Sequence, residues 1–193
     1  MKINKIHHVA YRCIDAKETV DFYQNILNMS LVLAIAEDEV PSTKEPDPYM
    51  HLFLDAGMGN ILAFFELPNA EPMGRDEKTP AWVQHIAFEV ESVDVLLEAK
   101  QRVEAAGLEV LGPTDHGIFK SIYFFDPNGH RLELAANTVE EGMLDELKRV
   151  APAMIDAWSK TKKAPKHAAW LHNGDDFRKY AARPVEELSD GIE

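Results

Sequence analysis

The chain has 193 residues, 46% hydrophobic and 27% charged, which is enough apolar surface for a folded core and excludes disorder as the main state. Its 20 Lys+Arg against 33 Asp+Glu give a net charge of −13, which makes it a poor candidate for binding nucleic acid or an anionic membrane surface, since both need clustered cations. A single cysteine, Cys13, excludes an intramolecular disulfide and a cysteine-built zinc cage.

The first residues, Met1–Lys5, lack the apolar run of a secretory signal, and no stretch approaches the ~20 apolar residues of a spanning helix. A soluble cytoplasmic protein is expected. Ile6–Tyr11 reads as a strand: short, β-branched and aromatic, with alternating polarity. A helix follows, with Asp15 and Glu18 as a capping arrangement and Val20, Tyr23, Ile26 and Leu27 at helical spacing. Strands are expected at Leu31–Ala36, Met50–Asp55 and Ile61–Leu67, the last two separated by a turn at Gly57, Gly59 and Asn60.

The same order then recurs. Val83–Phe88 matches Ile6–Tyr11 in the register that superposes His85 on His8. Ser92 caps a second helix, with Leu96, Val103 and Ala106 on one face and Gly107 at its end. Strands follow at Leu108–Leu111, Lys120–Asp126 and His130–Ala135, and Pro127–Gly129 makes the last turn. Phe65-Glu66-Leu67 parallels Leu132-Glu133-Leu134, which sets Glu66 against Glu133. The fold class is therefore α+β, with two β-α-β-β-β modules, 4–68 and 82–137, joined by a linker at 69–81.

Residues 138–193 repeat nothing and read as a mainly helical extension. Thr138 and Glu141 can cap a helix whose stripe is Met143, Leu144, Leu147, Val150, Met154, Ile155 and Trp158, with Pro152 kinking or restarting it. Lys160–Lys166 is a basic patch, and the part through Trp170, Phe177 and Tyr180 reads as irregular or weakly helical. So large an apolar stripe must pack on its own sheet or on a second subunit, and a homodimer is expected.

His8, His85 and Glu133 lie at related places in the repeat: the first strand of each module and the last strand of the second. Two histidines and a carboxylate are a ligand set for a divalent metal, and with positions left open they suit non-haem Fe(II) and O2. His7 points to the opposite face from His8 and reads as structural.

At these residues the chain resembles the vicinal-oxygen-chelate superfamily, which includes glyoxalase I, extradiol ring-cleavage dioxygenases, methylmalonyl-CoA epimerase and drug-resistance proteins. The resemblance covers about residues 4–137, implies that the two modules pair into a cupped mixed sheet, and places His8, His85 and Glu133 on the family's ligand positions. Thr114–Glu133 is similar to the extradiol signature: a histidine, an apolar-Tyr pair, an acid-Pro-x-Gly turn and a glutamate. The resemblance makes His116 the acid/base, Tyr123 a hydrogen-bond donor to substrate and Glu133 the carboxylate ligand, in an enzyme that cleaves a catechol-like small molecule. The metal is then Fe(II), with Ni, Zn, Mn or Co as alternatives. Ring-cleaving relatives usually carry another histidine beside the metal in the preceding module, and none lies between His51 and His85. A second reading follows from Glu66 as fourth ligand or base and Arg12 as a substrate anchor, which together resemble glyoxalase I and imply an isomerase acting through an enediolate. A third is a drug-binding module without turnover. Phe64, Trp82, Phe88, Phe119 and Phe124 suit an apolar pocket under all three, and equally suit the core.

Overall fold

The computed structural model describes residues 1–189 and carries the β-α-β-β-β order twice. The first module runs β1 (Val9–Cys13), α1 (Ala16–Leu27), β2 (Ser30–Glu39), β3 (Pro46–Asp55) and β4 (Ile61–Glu66). The second runs β5 (Ile86–Val90), α2 (Val93–Ala105), β6 (Leu111–Asp115), β7 (Phe119–Phe125) and β8 (Arg131–Asn137). Each module makes a four-stranded sheet, ordered β1-β4-β3-β2 and β5-β8-β7-β6. In the first, β1 joins β4 in parallel, with Val9 opposite Leu62, while β4, β3 and β2 are antiparallel. The helix between β1 and β2 carries the chain across the sheet, as a parallel pair requires.

Local chemistry explains the helix ends. The Asp15 carboxylate accepts from the Glu18 N–H, and Asn28 closes α1 in the left-handed region at φ 56°. The Ser92 hydroxyl accepts from the Val95 N–H at 3.3 Å, and Gly107 ends α2 with φ +83°. The apolar faces follow: Tyr23, Leu52, Leu54, Leu62 and Phe64 are buried in the first module, and Leu96, Val103, Ile122, Phe124, Leu132 and Leu134 in the second. β2 is an edge strand and is exposed along its whole length.

By packing, the chain forms two compact units that cut across the modules: residues 1–88, 98–111 and 123–133 in one, and 89–97, 112–122 and 134–193 in the other. The second unit holds the extension: α3 (Met143–Thr161), α4 (Trp170–Asn173), α5 (Phe177–Ala181) and a 3-10 turn (Val185–Leu188). These build a core of their own from Val150, Ala168, Trp170, Phe177, Tyr180 and Leu188. Beside it the buried Glu146 carboxylate receives two hydrogen bonds of 2.7 Å from Arg149, whose guanidinium also donates to the carbonyls of Tyr180 and Arg183.

Several expectations shift. The strand expected at Leu108–Leu111 is β6, Leu111–Asp115, and contains Gly112 and Pro113. Both residues are strand breakers in general, but β6 is an edge strand, where a missing N–H is tolerated. A β-carbon on Gly112 would meet the Ser121 carbonyl at 2.5 Å, so this crossing needs glycine. Thr138 does not cap α3; its N–H bonds to the Ile118 carbonyl, and Gly142 stands at the N-cap with no side-chain cap. α3 runs through Pro152 as one helix. Its apolar stripe divides: Val150 is buried and Met143, Leu147 and Met154 pack on the extension's core, while Leu144, Ile155 and Trp158 are exposed. Among the described residues no helix is long and apolar enough to cross a membrane.

Candidate metal centre

His85 immediately precedes β5, and Glu133 is the third residue of β8. Nε2 of His85 lies 2.9 Å from Oε2 of Glu133. The carboxylate is buried, with 5% of its side chain exposed, whereas the imidazole is 31% exposed. Tyr123 of β7 donates its hydroxyl to the other oxygen, Oε1, at 3.2 Å, and its ring stands edge-on to His85. A buried carboxylate requires such partners or a metal. Two ligands at right angles, each ~2.0–2.2 Å from one metal, lie about 3 Å apart. The observed His85–Glu133 spacing is compatible with that arrangement, and it is equally the spacing of a direct hydrogen bond.

His8 is exposed, and its ring faces His51 and Phe53 of β3, with centroids 6.3 and 5.8 Å away. Its Nδ1 is 2.8 Å from Nδ1 of His7. The expected divergence of these neighbours does not hold, because both precede β1 and escape strand alternation. Among the described residues, no group of three or more His, Cys, Asp and Glu converges to hold a metal. The structure thus brings together His85, Glu133 and Tyr123, and leaves His8 outside that cluster.

Glu66 and Arg12 occupy other settings. Counting from the turn glycines, β4 opens two residues after Gly59 and β8 two after Gly129. Leu62, Ala63 and Phe64 are buried in step with Leu132, Glu133 and Leu134. The residue matching Glu133 is therefore Ala63, and Glu66 stands three places further on. There its carboxylate accepts from the Ala16 N–H at 2.6 Å, at the start of α1. Arg12 donates from Nη2 to the Glu71 carbonyl at 2.7 Å and lines a cavity of about 680 Å3 with Tyr49, His51 and Phe65. Burial and the nearby His8 hold the His51 imidazole below its ordinary pKa.

His116 belongs to the second unit, in the turn between β6 and β7, where its N–H bonds to the Phe119 carbonyl and its ring lies 4.8 Å from that of Phe119. The neighbouring Asp115 carboxylate accepts from the Gly117 N–H, which holds its pKa below the ordinary value.

The acid-Pro-x-Gly turn does work that no spacing rule discloses. Asp126 is buried, and its carboxylate accepts from the Tyr23 hydroxyl at 3.0 Å, the Asn128 N–H at 2.9 Å, the Asn128 amide at 3.0 Å and the His130 N–H at 2.7 Å. The Asn128 carbonyl oxygen then accepts from the Ile14 N–H at 2.8 Å, and Nε2 of His130 lies 2.7 Å from the Arg12 carbonyl. The turn leading into β8 is thereby fastened to β1 and α1.

Two β-α-β-β-β modules, with a histidine before the first strand of the second facing a glutamate of its last strand, β8, define a class, and comparison with known proteins agrees. Residues 5–134 match the family model of the Glyoxalase/Bleomycin resistance protein/Dioxygenase superfamily, and the chain belongs to that superfamily. It is 32% identical over 145 residues to MhqA of Bacillus subtilis, named as a ring-cleaving dioxygenase; the match covers 74% of this chain but 42% of that protein, so the chain spans less than half of it. It is 28% identical over 141 residues to the fosfomycin resistance protein FosX of Listeria monocytogenes, covering 72% of this chain and 94% of FosX. A solved FosX variant holding Mn(II) and 1S,2S-dihydroxypropylphosphonic acid superposes with a TM-score of 0.52 at 25% identity, over 72% of this chain and 98% of that one. These relatives are named as a dioxygenase and a drug-resistance protein, and the FosX structure contains a divalent metal.

Proposed function

We propose that the chain is a metal-dependent dioxygenase that opens a catechol-like vicinal diol, and that His85 and Glu133 are two of its three protein ligands to a divalent metal, iron(II) first among the candidates. The observation that carries this reading is the His85–Glu133 pair with Tyr123 on the same carboxylate. The similarity to MhqA supports it. His8 is the third ligand in this reading; in the structure its ring faces His51 and Phe53 of β3 and not the pair. A divalent metal held there supplies Lewis acidity toward two neighbouring substrate oxygens, and iron adds one-electron chemistry with O2.

The chain's own residues then have separable tasks. The Tyr123 hydroxyl, already within hydrogen-bond reach of the site carboxylate, turns to donate to a substrate oxygen. His116 takes the proton that the diol releases and returns it later, a role worth ~10²–10⁴ in rate. Arg12 remains a candidate for contacting a distal part of the substrate. The glyoxalase-type isomerase reading needs a carboxylate at the position that mirrors Glu133; Ala63 stands there, and Glu66 caps α1 instead, which favours the dioxygenase.

The deciding experiment is anaerobic reconstitution with Fe(II), followed by catechol and O2. Oxygen uptake with formation of a yellow ring-opened product is expected, and His85→Ala should lose both metal and uptake. Isomerase activity with nickel or zinc on a hemithioacetal, without oxygen uptake, refutes the proposal.

A further inference from the structure

Beside His85 lies a cavity of about 460 Å3, lined by β5, the start of β8 and the linker; Arg75 and Arg131 both contribute to its wall. Arg131 is two residues before Glu133 on β8 and so projects from the same face of the sheet. Its guanidinium lies over the Tyr123 ring at 4.3 Å, and that of Arg75 lies over the Phe125 ring at 4.7 Å. Tyr123 and Phe125 also share a face of β7, so their rings stand on the order of 7 Å apart along the strand.

Among the described residues, each guanidinium stacks on an aromatic ring and makes no ion pair or side-chain hydrogen bond. Such a placement is unusual in this chain. It has 33 carboxylates against 20 Lys and Arg, so acids to pair with these cations are abundant. The carboxylates nearby are committed elsewhere. Glu133 faces His85 and Tyr123, and Asp76 accepts from the Thr79 hydroxyl and from the Lys78 N–H at 3.0 Å. Two planar donors held flat on aromatic faces, with their N–H edges unengaged, form a receptor for an oxyanion.

We infer that the substrate carries a carboxylate or other oxyanion, and that Arg131 and Arg75 bind it in this cavity. Arg131 makes the principal contact, and Arg75, on the linker, closes over it. The substrate class narrows from a vicinal diol to an anionic one, and uncharged catechol is the poorer ligand. This inference rests on the proposed function only for where the diol sits; the anion site stands without a metal.

The test is therefore made on metal-free protein with probes that have no diol. Benzoate, phenylphosphonate and the neutral benzamide are titrated by isothermal calorimetry into the native chain, Arg131→Gln and Arg75→Gln, with circular dichroism to verify the fold of each variant. Benzoate or phenylphosphonate should bind at least about 10-fold more tightly than benzamide, and the tighter of the two names the oxyanion. Arg131→Gln should weaken that binding about 10- to 100-fold, and Arg75→Gln by less. Equal binding of benzoate, phenylphosphonate and benzamide overturns the inference, as does anion binding that survives both substitutions. If Arg131→Gln does not fold, Arg131→Lys keeps the charge, should retain part of the affinity and decides the same question. Loss of dioxygenase activity with anion binding intact strikes the proposed function and leaves this inference standing.

Discussion

Asp126 sits inside the stretch that resembles an extradiol signature, yet its carboxylate is hydrogen-bonded to Tyr23 of α1, Asn128 and His130, and not to His85. Its removal should therefore cost stability and leave metal affinity alone. Asp126→Ala strands three donors: the hydroxyl of Tyr23, a fully buried residue, and the N–H groups of Asn128 and His130. The Asn128 amide keeps a second acceptor in Thr19, 3.1 Å away. An unsatisfied buried donor costs about 1–3 kcal/mol, and water recovers part of this near the turn, so the variant should lose about 3–5 kcal/mol. Tyr23→Phe removes one donor and leaves the carboxylate with its others, so it should lose about 1–2 kcal/mol. The double variant should lose less than the sum, because the two share a bond. Urea unfolding followed by far-UV circular dichroism measures all three, with an unchanged m-value licensing the comparison. An Asp126→Ala chain within about 1 kcal/mol of the parent refutes the reasoning, and so does one that binds metal poorly at full stability.

Burial raises the Cys13 thiol to about 11, so at pH 8 it should resist a disulfide reagent in the folded chain and react at once in urea. The same shift stabilises the fold fully below the thiol's unfolded pKa of about 9, and that contribution should fade as pH rises through 11, an effect that a Cys13→Ala variant should lack. Glu146→Ala should cost about 1–2 kcal/mol in a thermal or urea melt, since it removes two hydrogen bonds while Arg149, partly exposed, keeps the Tyr180 and Arg183 carbonyls. Gly117→Ala should destabilise the second unit by at least about 1 kcal/mol, because its φ is +82° and a β-carbon would meet the Leu171 carbonyl at 2.8 Å.

The repeat was legible because its punctuation is local. Asp15, Ser92 and Gly107 act on residues within one turn, and glycine turns mark the last hairpin of each module, so periodicity and caps place both helices and most strands. β6 was misplaced because Gly112-Pro113 breaks a strand everywhere except at an edge, and edge position is a property of the sheet. Glu66 was set against Glu133 by matching apolar-Glu-apolar triplets; counting from Gly59 and Gly129 gives the offset that leads to Ala63. The role of Asp126 was invisible because Tyr23 lies 103 residues away. Arg131 carries no signal in the sequence, since only the sheet shows a cation on the face of Glu133 that stacks on Tyr123.

Ala63 also bears on the stoichiometry that the proposed metal site implies. A chain built from two like halves has, in principle, two places for a histidine–carboxylate pair; this one spends a methyl group where the second carboxylate would stand, in a fully buried position. If Glu133 holds the metal as proposed, each chain brings one such carboxylate, and metal content should saturate at one ion per polypeptide. The first half is thereby released from ligand duty at its last strand, and its sequence is answerable there to packing alone: Leu62, Ala63 and Phe64 can drift among apolar residues of similar volume, while Glu133 cannot.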